Sequence, residues 1–224
     1  FCEENGKKEN LANQTFKLGK IYYNQGKFED ALKNFHKTVS LFDTLKPSCT
    51  KVLALHYIGA ANTATGDYKT AAVYYTKAAD LLKELNINDN AGILDYQKAL
   101  AFKTNNDLKS AAKTFKTIIK KPDNTANIKT KIDAYYQLGL IESQLKRNDS
   151  TIIYFNKALD YNAKINDLPK KAKIVLAISQ YYKQNKNYDL AYSYLDEHYQ
   201  LENYLLKLKN AKIDLDEYEK FKKN

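Results

Sequence analysis

Three histidines and two cysteines are the residues of this 224-residue chain whose types lend themselves to nucleophilic, acid–base or metal chemistry. Their spacing supports none of it. His36, His56 and His198 fall in three separate segments, and the His36–Ser40 pair is an ordinary one-turn adjacency on a helix. Cys2 and Cys49 match no zinc-ligand spacing and have no histidine cluster beside them. No glycine-rich phosphate loop and no paired-histidine zinc motif occurs. Glu29 and Asp30 stand at a helix start, where a carboxylate favours the helix dipole. The expectation is a non-enzymatic chain with no metal, no cofactor and no small-molecule substrate.

Elements that position side chains are far more legible than any reactive group. A small residue recurs every 40 residues at Gly19, Gly59, Ala99, Gly139 and Ser179. A second series in phase with it runs Ala31, Ala71, Ala111, Thr151 and Ala191, followed four residues later by Phe35, Tyr75, Phe115, Phe155 and Leu195. One offset held over the whole length means one helical hairpin stacked five times. Gly26, Gly66, Asn106-Asp107, Asn148-Asp149 and Asn185-Lys186-Asn187 supply the reversals within hairpins, and Pro47, Pro122 and Pro169 fall between hairpins. The predicted organisation is a polar lead-in over 1–8 and five repeats over 9–48, 49–88, 89–124, 125–167 and 168–207, with a capping helix over 208–224. The fold class is an all-α solenoid of five antiparallel helix hairpins.

Composition bounds the partners. A 44% hydrophobic content suffices for a core, and 36 basic against 26 acidic residues give a net charge of +10. Such a charge attracts acidic partners, but lysines spread through every repeat and not gathered in one stripe read rather as a solubilising surface; no nucleic-acid motif accompanies them, so nucleic acid is not expected. No window is long and apolar enough to span a bilayer. The chain starts without Met and reads as a processed or excised piece. In stacked hairpins Cys2 and Cys49 come near each other; the sequence leaves open a disulfide in an oxidising compartment or two free thiols.

This pattern resembles the tetratricopeptide repeat. Leu18-Gly19, Tyr22, Gly26, Phe28, Ala31 and Phe35 stand at that family's spacings, as do Ile58-Gly59, Gly66, Tyr68, Ala71, Tyr75 and Ala78. Leu138-Gly139, Phe155 and Ala158 continue it, then Ile178, Tyr182, Tyr188 and Ala191. The family unit is about 34 residues, shorter than the 40 here. Asn62 and Glu142 depart from it at a position usually aromatic. The resemblance implies a right-handed superhelix whose first helices line a concave groove. Its rungs are Phe16, His56, Tyr96 and Tyr136, then Lys17, Tyr57, Gln97 and Gln137, then Lys20 and Gln180, with Asn24 and Gln144 a turn later. Such a groove would take an extended protein or peptide segment with an apolar centre and an acidic group, with Tyr57, Tyr96 and Tyr136 as anchors. The carboxylate clamp that some members use for chaperone tails is not expected. Its positions fall on Phe16, Lys20, Tyr57, Ile93 and Gln97, and only one of these is basic. The chain is also similar to the sensory input domains of Bacteroidetes-type membrane-anchored regulators; a Cys2–Cys49 disulfide would favour a periplasmic or other extracytoplasmic location, and a cytoplasmic one stays open. Two other roles stay open: a regulator like the Gram-positive peptide-pheromone receptors, acting on a response regulator or DNA-binding unit, and a structural assembly scaffold.

Overall fold

The computed structural model describes residues 2–46, 48–87, 91–123 and 127–222, with side chains for 5–46, 48–87, 92–123 and 127–211. Ten helices follow in order: α1 (Cys2–Asn24), α2 (Phe28–Phe42), α3 (Cys49–Thr65), α4 (Tyr68–Glu84), α5 (Ala91–Thr104), α6 (Leu108–Ile119), α7 (Ile128–Gln144), α8 (Asn148–Ala163), α9 (Leu168–Gln184) and α10 (Tyr188–Lys222). No strand occurs among the described residues. The fold is all-α, a helical-repeat solenoid, and it divides into two compact units, Phe1–Thr130 and Lys131–Asn224.

Each hairpin reverses through one backbone device. The left-handed residue stands at Gly26, Gly66, Asn106, Lys146 and Lys186, again 40 apart. In every case the next amide donates to the carbonyl five residues back: Lys27 to Tyr22, Asp67 to Asn62, Asp107 to Phe102, Arg147 to Glu142 and Asn187 to Tyr182, all at 2.8–2.9 Å. This is the bond that closes a Schellman ending. Asn148-Asp149, expected as the fourth reversal, instead opens α8, and Lys146 (φ 56°) makes the turn. The closing bond holds the backbone there, so lysine accepts a conformation usually left to glycine. The following helix is then capped where the side chain allows it. The Asp67 carboxylate accepts from the Thr70 amide and Asp107 from Ser110, each at 3.0 Å, and the Asn187 side-chain oxygen accepts from Leu190 at 3.3 Å; between hairpins, Asp167 caps α9 in the same way.

Helix contact within a hairpin depends on the missing side chain. A Cβ on Gly19 would lie 2.6 Å from Phe35, one on Gly59 2.8 Å from Tyr75, and one on Gly139 2.5 Å from Phe155. In the fifth hairpin Ser179 and Leu195 replace the glycine–aromatic pair, and the Ser179 hydroxyl donates to the Ala191 carbonyl at 2.7 Å. Between hairpins of the first unit, Ala72 and Ala79 of α4 share one apolar cluster with Leu94 and Ala101 of α5. The second helix of one hairpin thus buries its outer face under the first helix of the next.

Two boundaries differ from expectation. Residues 2–8 belong to α1, which starts at Cys2, so no separate lead-in exists there. At the other end, 208–222 continue α10 without a break, so one 35-residue helix holds both the last repeat helix and the segment expected as a separate cap. No glycine or proline lies between Tyr188 and Lys222 to interrupt it.

Candidate functional site

In the first unit the expected rungs of α1 and α3 come together as an aromatic cluster backed by α2. The Tyr57 ring stacks on Phe35 at 5.2 Å and meets Phe16 and Tyr23 edge-on at 5.8 and 5.4 Å. Lys20 Nζ lies 5.7 Å from the Tyr57 ring centre and 6.0 Å from that of Phe16, within reach of a cation–π attraction. Lys17 is exposed beside it, and both lysines border a polar cleft of about 560 Å³ with Asn10, Asn13, Gln14 and Thr50. Asn24 is exposed at the far end of α1. Tyr57 is therefore half-buried and leans on its neighbours, offering a ring edge and a hydroxyl rather than a free-standing anchor.

His56 joins this cluster to a second feature that the groove pattern does not contain. Its ring lies 5.6 Å from both Tyr57 and Tyr75. On its other side it borders an apolar cavity of about 310 Å³, lined with Cys49, Val52, Leu53, Leu82, Ile87 and Ile93. The Nδ1 atom is buried and has no hydrogen-bond partner among the described residues. Burial pushes the imidazole below the usual histidine range, which keeps it neutral near pH 7. A buried polar atom without a partner costs about 1–3 kcal/mol. Leu53 and Ile93 stand 45% and 47% exposed at the rim, too apolar for a face that otherwise meets water. The sequence carries a signal for this cavity: their repeat position holds Asn13, Asp133 and Lys173 in the other hairpins.

Other expected residues lie apart from this site or in the second unit. Tyr96 leans on Phe115 at 5.6 Å and Tyr136 on Phe155 at 6.2 Å, both half-buried like Tyr57. Gln97 and Gln137 are half-buried, and Gln180 is exposed. Gln144 borders a polar cleft with Ser143, Lys146, Asn148, Gln184 and Asn185. Cys49 is exposed, while the side chain of Cys2 lies outside the described residues, so their pairing is not placed. Among the described residues, no three of His, Cys, Asp and Glu gather as a metal site, and no helix is long and apolar enough to cross a membrane.

Family models described as tetratricopeptide repeat match residues 15–44 and 132–165. Solved structures of helical-repeat proteins superpose on most of the chain. A putative kinesin light chain of nearly identical TPR-like repeats from Podosopora anserina is 12% identical, covering 89% of this chain and 98% of that one at a TM-score of 0.68. BtubC from P. vanneervenii is 14% identical, covering 88% and 82% at 0.70. Aspartyl phosphate phosphatase F from Bacillus subtilis is 14% identical, covering 87% of this chain and 60% of that one at 0.64. No curated protein matches the chain. The chain thus carries tetratricopeptide repeats in a solenoid fold, an architecture typical of non-enzymatic protein-interaction scaffolds.

Proposed function

We propose that the chain binds an extended protein or peptide segment along the α1–α3–α5 side of its first unit. The carrying observation is the apolar cavity at Leu53, His56 and Ile93, which combines exposed apolar rims with an unpaired buried imidazole nitrogen. One apolar side chain of the segment fills the cavity beside the His56 ring. Lys17 and Lys20 face an acidic group of the same segment, which favours acidic peptides by long-range attraction in a chain of net charge +10. Tyr57 contributes its ring edge between the two contacts. The role of Tyr96 on α5 as a further anchor belongs to the same proposal.

A peptide-library selection on the whole chain tests it. Selected peptides should share one large apolar residue near an acidic one. Leu53→Glu with Ile93→Glu should weaken them by at least tenfold, because a carboxylate at the rim opposes an apolar side chain (about 1.4 kcal/mol per factor of ten). Lys17→Ala should mainly reduce association rate and salt dependence. Unchanged binding to the folded Leu53/Ile93 variant would refute this site.

A further inference from the structure

The two ends of the repeat series expose faces that are buried everywhere else. At the position of Ile21, the later first helices carry Ala61, Ala101, Ile141 and Tyr181, all at most 7% exposed, whereas Ile21 is 53% exposed. At the position of Leu18, Ile58, Leu138 and Ile178 are at most 1% exposed, against 41% for Leu18. Gln14 is exposed where Ala54, Leu94, Ala134 and Ile174 are buried. The second helices show the counterpart. Leu32, Ala72, Ala112 and Ile152 are buried or half-buried, but the matching Tyr192 is 73% exposed. Val39, Ala79, Ile119 and Leu159 are likewise covered, and the matching Tyr199 is 58% exposed.

These faces are made for each other by the repeat register. Inside the first unit, positions 72 and 79 of α4 pack with positions 94 and 101 of α5. Shifted by whole repeats, the first pair becomes Tyr192 and Tyr199 on α10, and the second becomes Gln14 and Ile21 on α1. Charge agrees with the match. Residues 188–204 of α10 contain Asp189, Asp196, Glu197 and Glu202 and no lysine or arginine, a net of −4. Helix α1 contains Lys7, Lys8, Lys17 and Lys20 against Glu3, Glu4 and Glu9, a net of +1.

We infer that α10 of one molecule docks on α1 of a second copy, head to tail, as a second helix docks on the next first helix within the chain. The occupant of each end is a second copy of this chain. Two α10 faces pairing with each other would set −4 against −4, so the charges disfavour a two-fold dimer. A contact between unlike faces leaves one of each free, and association continues beyond two unless geometry closes a ring. Tyr192 and Tyr199 suit such a reversible interface, since the ring is apolar and the hydroxyl stays wet when the molecule is alone.

Sedimentation over a concentration series tests the inference on the whole chain. The wild type should associate beyond the dimer, and raising salt from 0.05 to about 0.5 M should weaken association as the charges are screened. Leu18→Asp with Ile21→Asp should abolish it, and so should Tyr192→Asp with Tyr199→Asp. These positions are solvent-exposed, so the variants should keep the wild-type helical circular dichroism spectrum. Mixing the α1 variant with the α10 variant should yield a one-to-one dimer and nothing larger, because only one intact interface remains. A wild type monomeric at every concentration overturns the inference. So does association lost in the α10 variant but kept in the α1 variant, the mark of a two-fold α10 pair.

Discussion

Gly139→Ala is the sharpest test of the packing at the hairpin crossings. The added Cβ would lie 2.5 Å from both Cδ1 and Cε1 of Phe155, and the Phe155 ring is fully buried. Carbon atoms pack comfortably at about 3.5–4.0 Å, so the ring must move by roughly 1 Å where it has no free space. Overpacking of this kind costs about 1–3 kcal/mol. Alanine also gains about 1 kcal/mol over glycine inside a helix, so the net loss should be about 0–2 kcal/mol. A smaller partner should relieve it, as Ser179 opposite Leu195 does in the fifth hairpin. Phe155→Leu alone should destabilise, and Gly139→Ala added to it should then be neutral or favourable. Urea unfolding of the four proteins, followed by circular dichroism, gives the coupling energy, expected to be at least about 1 kcal/mol. A Gly139→Ala variant that is more stable than wild type would show that no close crossing exists and would refute the reasoning.

Three further outcomes follow from the turns and the buried imidazole. Gly66→Ala should lose about 1 kcal/mol although no atom lies within 4 Å of the new Cβ, because φ is +89° and the penalty is in the backbone alone; thermal melts measure it. Lys186→Gly (φ 60°) should shift stability the other way by about 0.5 kcal/mol, and a loss in the same melts would mean the Lys186 side chain is itself needed. The His56 imidazole is held below its unfolded pKa by burial, so the unfolded state binds the proton first. Its contribution is full above about pH 6.5 and is lost as pH falls towards the folded value; His56→Gln should flatten that part of the stability–pH curve, and an unchanged slope would exclude the effect. His36, lowered by burial and then by Lys77, keeps the remaining slope of the same sign.

What the sequence made legible is what one position in the repeat can state by itself. Gly19, Gly59 and Gly139 facing Phe35, Tyr75 and Phe155 follow from residue size at a fixed offset. The fourth turn was misplaced because Asn148-Asp149 carries a strong turn composition, whereas Lys146 carries none; there the hairpin imposes the left-handed backbone on an unsuited residue. Continuity of α10 is not legible because the repeat pattern changes at 208 while the helical backbone does not. The Leu53–His56–Ile93 cavity is not legible in one helix's pattern because its wall needs Leu82 of α4 and Ile87 of the segment after it.

The turn bond that recurs from Lys27–Tyr22 to Asn187–Tyr182 also makes length a free variable of this molecule. It is drawn between backbone atoms, and its geometry is the same whether glycine, asparagine or lysine holds the bend. A block of 40 residues cut between equivalent bends, such as 27–66 or 67–106, therefore begins and ends in the same backbone state. Duplicating or excising one such block rejoins like with like, and each rejoined pair of faces retains its register. Gene-level copying could lengthen or shorten this chain in hairpin steps without inventing a new junction.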